Sequence, residues 1–157
     1  MGSFIKYRLT DLQTARLTVR VGDVVIETDC IARQNTLQQM LAAAYKASKG
    51  GRHQFQSIHE NGYFLWSFEK QDDRLMICVT GYSLEDGLGS DFYTVNFGVS
   101  CDYMEFVRAL FSEMNLLLEE YKASGYQELW QEHEFPLRKY LLLRKLVDGP
   151  INWSLFQ

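Results

Sequence analysis

The 157-residue chain has few of the residues that usually announce a chemistry. Its three cysteines, Cys30, Cys78 and Cys101, stand far apart, with no CxxC or other metal-ligand spacing. Each lies in or beside a strand-like segment, and all three are expected to be small buried hydrophobes. No bound metal and no cofactor is expected. No apolar run approaches the ~18–20 residues of a membrane span. The opening residues, MGSFIKYRLTDLQTARL, carry a charge every few positions and lack the apolar core of a secretory leader. These absences predict a cytoplasmic protein that does not enter a membrane.

Basic clusters are missing too. Sixteen Lys and Arg stand against 20 Asp and Glu, a formal charge of −4. Nucleic acid needs clustered cations along its phosphates, so it is not an expected partner, although a small nucleotide stays open. Aromatics alternate with polar residues over 54–100, as they do in base-stacking sheets, but basic residues are too sparse there for that use. No G-x-S-x-G elbow, kinase-type set or Cys–His signature occurs. The expectation is that the chain is not an enzyme.

What remains is the pattern of a single α+β domain over 1–157, long enough to bury ~68–70% of its unfolded surface. LTVRV-GD-VVIETDCI predicts a hairpin within 16–31. Pairing Val21 with Val24 sets Arg16 opposite Asp29 and Thr18 opposite Glu27, with the apolar residues on the other face. A helix follows over 36–49, capped at Asn35 or Thr36 and stopped by Gly50-Gly51. A β-meander spans 54–100. Asn61-Gly62 turns it once, pairing Glu60 with Tyr63, and KQDD turns it again, pairing Glu69 with Arg74. Phe55, Phe64, Trp66, Phe68, Leu75, Ile77 and Val79 then share a buried face. The reverse face, with Leu65, Met76 and Cys78, is too apolar for full exposure and implies partial cover or a partner.

Helices fill 102–147. Asp102 and Glu105 form a cap-and-return pair, an apolar stripe runs from Tyr103 to Tyr121, and Gly125 sits where a helix stop belongs. Pro136 opens a last helix that is apolar on more than one side, before a tail over 148–157. The expected fold is an antiparallel sheet of about six strands with helices packed mainly on one face.

Three constellations are candidates for function. GYSLEDGLGSD resembles a phosphate loop but lacks GK[ST], and its acids would repel phosphate. It also lacks the EF-hand spacing for calcium. From 69 to 102 seven acids meet two bases, whereas 136–147 holds four bases and no acid. Asp72, Asp73, Glu85, Asp86 and Asp91 thus form a candidate acidic rim for steering a basic protein. His53, His59 and His133 share no catalytic spacing. His59, with Trp66 and Tyr82, marks a candidate pocket between sheet and helices.

The order of elements, closed by G-Y-x-x-x-W-x-x-x-x-F-P at Gly125, Tyr126, Trp130, Phe135 and Pro136, resembles small bacterial immunity-type proteins of polymorphic or contact-dependent toxin systems. That resemblance implies stoichiometric occlusion of a toxin domain and no catalysis. Two further readings stay open. One is a small-ligand-binding or enzymatic domain using the His59 pocket. The other is a homodimer through 137–147, similar to acidic secretion chaperones, although two strands before the first helix depart from their layout.

Overall fold

Period-two alternation builds two antiparallel sheets. The computed structural model describes residues 3–11, 14–31, 35–59, 62–83, 92–130 and 134–147. β1 (Ser3–Asp11), β2 (Thr14–Val21) and β3 (Val24–Ile31) form a three-stranded sheet in that order. After α1 (Thr36–Ala47), the strands β4 (Arg52–His59), β5 (Gly62–Gln71), β6 (Arg74–Ser83) and β7 (Phe92–Asp102) form a four-stranded meander. α2 (Tyr103–Trp130) and α3 (Leu137–Val147) complete the described chain. The fold is α+β, with seven strands in two sheets. β3 lies against β4, and residues of both sheets and all three helices share one core. Among the described residues no helix is long and apolar enough to cross a membrane.

The seventh strand is β1. Ile5, Tyr7 and Leu9 are buried while Lys6 and Thr10 face out, an alternation hidden in the sequence by its charges. The β2–β3 register agrees with expectation: Val21 pairs with Val24, Arg16 with Asp29 and Thr18 with Glu27. Arg8 falls directly opposite Arg16, a like-charge pair that would normally destabilise a ladder. Each has its own acids. Arg8 pairs with Glu113 and Glu120, and Arg16 with Glu27 and Asp29.

The meander keeps its expected buried face, but both turns differ from expectation by two residues. His59 pairs with Gly62, not Glu60 with Tyr63. Gly62 is needed inside the strand, because a Cβ there would stand 2.0 Å from the Tyr82 carbonyl oxygen. At the next turn Gln71 pairs with Arg74, not Glu69 with Arg74. Asp72 adopts φ 54°, which Asp tolerates better than most residues, so two residues suffice for the turn. A two-residue slip preserves parity, and Phe55, Trp66, Phe68, Leu75, Ile77 and Val79 remain buried together. β7 carries one extra residue between its partners for Gly81 and Tyr82, a bulge.

The helices cover the Trp66 face. Asn35 caps α1 by accepting the Gln38 N–H at 3.3 Å, and its amide donates back to the Gln38 side chain at 2.8 Å. Asp102 caps α2 by accepting the Glu105 N–H at 2.9 Å. Phe106 of α2 meets Phe68 edge-on, with ring centroids 5.3 Å apart. The expected stop at Gly125 is not where α2 breaks. The interruption falls at Lys122, with φ 55° and ψ 173°. On an unbroken helix Tyr126 would lie about 140° round from Tyr121, off the buried stripe. Beyond the break it is fully buried, edge-on to Phe135 at 5.7 Å.

Helix side chains also bond to one edge strand of each sheet, β1 and β4. On β4, Thr36 donates to the Gln56 carbonyl at 3.2 Å and the Gln39 amide oxygen accepts the Gln56 N–H at 3.4 Å. On β1, Glu113 accepts the Tyr7 N–H at 3.0 Å and the Arg8 guanidinium, while Tyr121 donates to the Leu9 carbonyl at 3.4 Å. Burial raises the Glu113 carboxyl above its usual 4.5, against the lowering pull of Tyr7 N–H and Arg8. Replacing Glu113 with Ala strands a buried N–H and should cost ~1–3 kcal/mol in urea unfolding, with Gln costing less because it keeps an acceptor. A carboxyl raised on folding contributes most below about pH 4.5, and its contribution is lost as pH climbs through the raised value. Wild type should therefore gain on Glu113→Gln as pH falls from about 7 towards 4.5. A difference independent of pH would reject this assignment.

Candidate functional site

Asp72 and Asp73 are exposed in the β5–β6 turn, while Glu85, Asp86 and Asp91 lie outside the described residues. β6 leaves that turn and runs ten residues to Ser83, opposite Phe92. The strand ends flanking 84–91 are thus about 30 Å from Asp72. Around the turn stand Glu69, Asp102 and Glu105, mixed with Arg52, Lys70 and Arg74. This end is acidic but carries both signs.

The candidate pocket of His59, Trp66 and Tyr82 is not one site. Trp66 is fully buried, stacked on Phe55 at 5.5 Å, and its indole N–H donates to Ser57 Oγ at 2.9 Å. His59 is half-buried at the end of the same face, 5.5 Å from Phe64. Tyr82 pairs with Tyr63 and projects from the opposite face, because side chains an odd number apart along a strand point to opposite sides. His53 rests with Nε2 2.8 Å from the Gly50 carbonyl oxygen, and His133 lies outside the described residues.

Shallow clefts open among the described residues. One of about 510 Å³ separates Asn35 and Gln38 of α1 from the start of α3. Another of about 380 Å³ lies between the β2–β3 turn and the Asp102 cap of α2, and a third of about 260 Å³ between α1 and β4. His59, Trp66 and Tyr82 line none of these three. Among the described residues, no group of three or more His, Cys, Asp or Glu is placed to hold a metal.

Buried polar groups gather where β1, β3, α1 and α2 meet, around Tyr7, Cys30, Thr36 and Tyr126. Burial pushes the Cys30 thiol up to about 12 and raises both phenols. A thiol held protonated is a poor nucleophile, so this cluster is a structural joint.

The reverse face of the meander is the candidate site. No helix packs there among the described residues, and the register orders it in rows. Ile58, Tyr63 and Tyr82 form the first row, with the two Tyr rings stacked at 5.0 Å and 22°. Gln56, Leu65 and Thr80 form the second, then Gln54, Ser67, Cys78 and Gly98. Arg52, Glu69, Met76 and Ser100 follow, and Gln71, Arg74 and Asp102 close the face beside the Asp72 turn. It grades from aromatic, through neutral polar, to charged. Ile58, Tyr63, Leu65, Met76 and Tyr82 are half-buried, and Cys78 is exposed, in contrast to the buried position expected from sequence. Gly98 beside it explains this, since the neighbouring strand offers no side chain to cover the sulfur.

No protein-family model matches the sequence, and no curated protein matches it. Among solved structures, a chain of a CdiA-CT/CdiI toxin and immunity complex from Enterobacter cloacae is similar, at 12% identity and a TM-score of 0.44. The match covers 73% of this chain and 98% of that one. The resemblance is weak and concerns layout alone.

Thiol exposure gives a direct check on the face. A maleimide reagent should label one cysteine per folded molecule, Cys78, and three after denaturation. Equal labelling of Cys30 or Cys101 in the folded protein would contradict the arrangement.

Proposed function

We propose that the chain is a protein-binding module, and specifically an immunity protein that neutralises a toxin domain by stoichiometric occlusion in the cytoplasm. The observation that supports this reading is the graded reverse face of β4–β7. Tyr63 and Tyr82 are already stacked, so little rotamer freedom is lost when a partner covers them. Tyr and Met are enriched at the centres of protein interfaces, and charged residues are depleted there. The charged end, with Glu69, Asp72, Asp73 and Asp102, steers a basic partner before the aromatic rows desolvate. Occlusion needs no turnover, in keeping with the expectation of no catalytic role.

The test is co-expression with the protein encoded beside this one. Rescue of a toxic neighbour and a copurifying one-to-one complex are expected. Binding should also shield Cys78 from maleimide. Replacing Tyr63 and Tyr82 with Ser should leave a folded monomer and weaken the complex about thirtyfold per ring, at about 2 kcal/mol for each aromatic anchor. A complex that forms with undiminished affinity and an accessible Cys78 would place the interface elsewhere.

Changing Asp72 and Asp73 together to Asn is expected to act on rate. Association at low salt should slow several-fold and lose part of its salt dependence, with dissociation nearly unchanged. Identical association kinetics in 10 mM and 150 mM salt for both forms would remove the steering role.

A further inference from the structure

Lys122 holds φ 55° and ψ 173° in the middle of α2, with helical residues on both sides. That backbone region is essentially reserved for glycine. The surrounding sequence offers no proline to explain a break, and Gly125, three residues on, is not the residue that takes the positive φ. The chain thus holds a strained lysine where a continuous helix would relieve it.

What the strain secures is the docking of the arm beyond it. Tyr126 and Phe135 are buried, and Tyr140 stacks on Phe111 at 5.0 Å while its hydroxyl donates to Asn115. α3 packs on both α1 and α2. These contacts need a body to dock on, and a second copy of this chain offers the same one. If α2 straightens at Lys122, the arm leaves its own body and reaches another's, reforming every docking contact with the hinge relaxed. Leu116 is 48% exposed on α2, about 9 Å of helix rise before the hinge. It supplies apolar surface where the two straightened helices would run side by side.

We propose that Lys122 is a swap hinge, and that a second copy of this chain is the arm's alternative docking partner. The proposal is independent of the immunity reading. It is tested by refolding the full chain at high concentration and measuring mass by light scattering. Wild type and Lys122→Ala, which keeps both the strain and the helix preference, should yield a dimer that persists for hours after dilution, since release requires the arm to undock. Lys122→Gly relieves the strain in the monomer and weakens the straight helix. Its dimer association constant should fall about a hundredfold, about tenfold for each hinge. Circular dichroism checks that each variant is folded. A mixed refold of Tyr7→Cys with Tyr126→Cys, each in a Cys30→Ser, Cys78→Ser background, reads the swap itself, through a disulfide between copies. Monomer alone from wild type and Lys122→Ala, a dimer insensitive to residue 122, or a dimer that falls apart within seconds would overturn the proposal.

Discussion

The fold depends on how its sheet edges are closed. An open strand edge presents a row of N–H and C=O groups that invites pairing with other chains. Among the described residues, helix side chains take some of these groups on the edge strands β1 and β4. Glu113 and Tyr121 do so on β1, and Thr36 and Gln39 on β4. These bonds also fix position. A carboxylate that must meet the Tyr7 N–H sets both the rotation of α2 and its height along β1. The capping of α2 by Asp102, directly after β7, ties its other end to the second sheet. One helix is thereby registered to both sheets. Burial of the Glu113 carboxyl opposes that bond electrostatically, and Arg8 compensates in part.

Edge closure explains which parts of the fold were legible in the sequence. Hairpin and helix patterns are local and could be read directly. The β2–β3 register followed from Gly22-Asp23 and from charge pairs that fit only one alignment. β1 escaped notice because its inward Ile5, Tyr7 and Leu9 alternate with Lys6 and Arg8, and Arg8 makes sense only once Glu113, 105 residues away, is beside it. The two turn registers slipped because Asn-Gly and Gln-Asp-Asp signal turns, while the geometry was decided by the approach of the Tyr82 carbonyl to Gly62 and by the positive φ of Asp72. The break at Lys122 was invisible for the same reason. It is set by where Tyr126 must go, a tertiary demand that overrides the local preference for glycine.

The site was legible only in part. The apolar and sulfur-bearing part is legible as an over-apolar reverse face, because period two assigns Leu65, Met76 and Cys78 to one side, whereas the Tyr63–Tyr82 stack emerges only from the register. The acidic residues were grouped by nearness in sequence. In a meander, residues close in sequence can stand at opposite ends of a strand, so Asp72 and Asp73 lie far from the ends that flank 84–91. The His59, Trp66 and Tyr82 grouping failed on parity, since Trp66 and Tyr82 cannot share a face of one sheet without an intervening bulge, and the bulge is in β7.

The graded face also follows from how the helices are used. α1 lies along the β4 edge and α2 spans to the β1 edge, so both are committed to the Trp66 side. A third helix could have covered the reverse side, but α3 packs on α1 and α2 instead. A sheet face that no described helix covers would ordinarily be polar throughout. This one keeps Ile58, Tyr63, Tyr82 and Leu65 clustered at the end away from its charges. Met76 is the exception, since it lies in the row of Arg52 and Glu69.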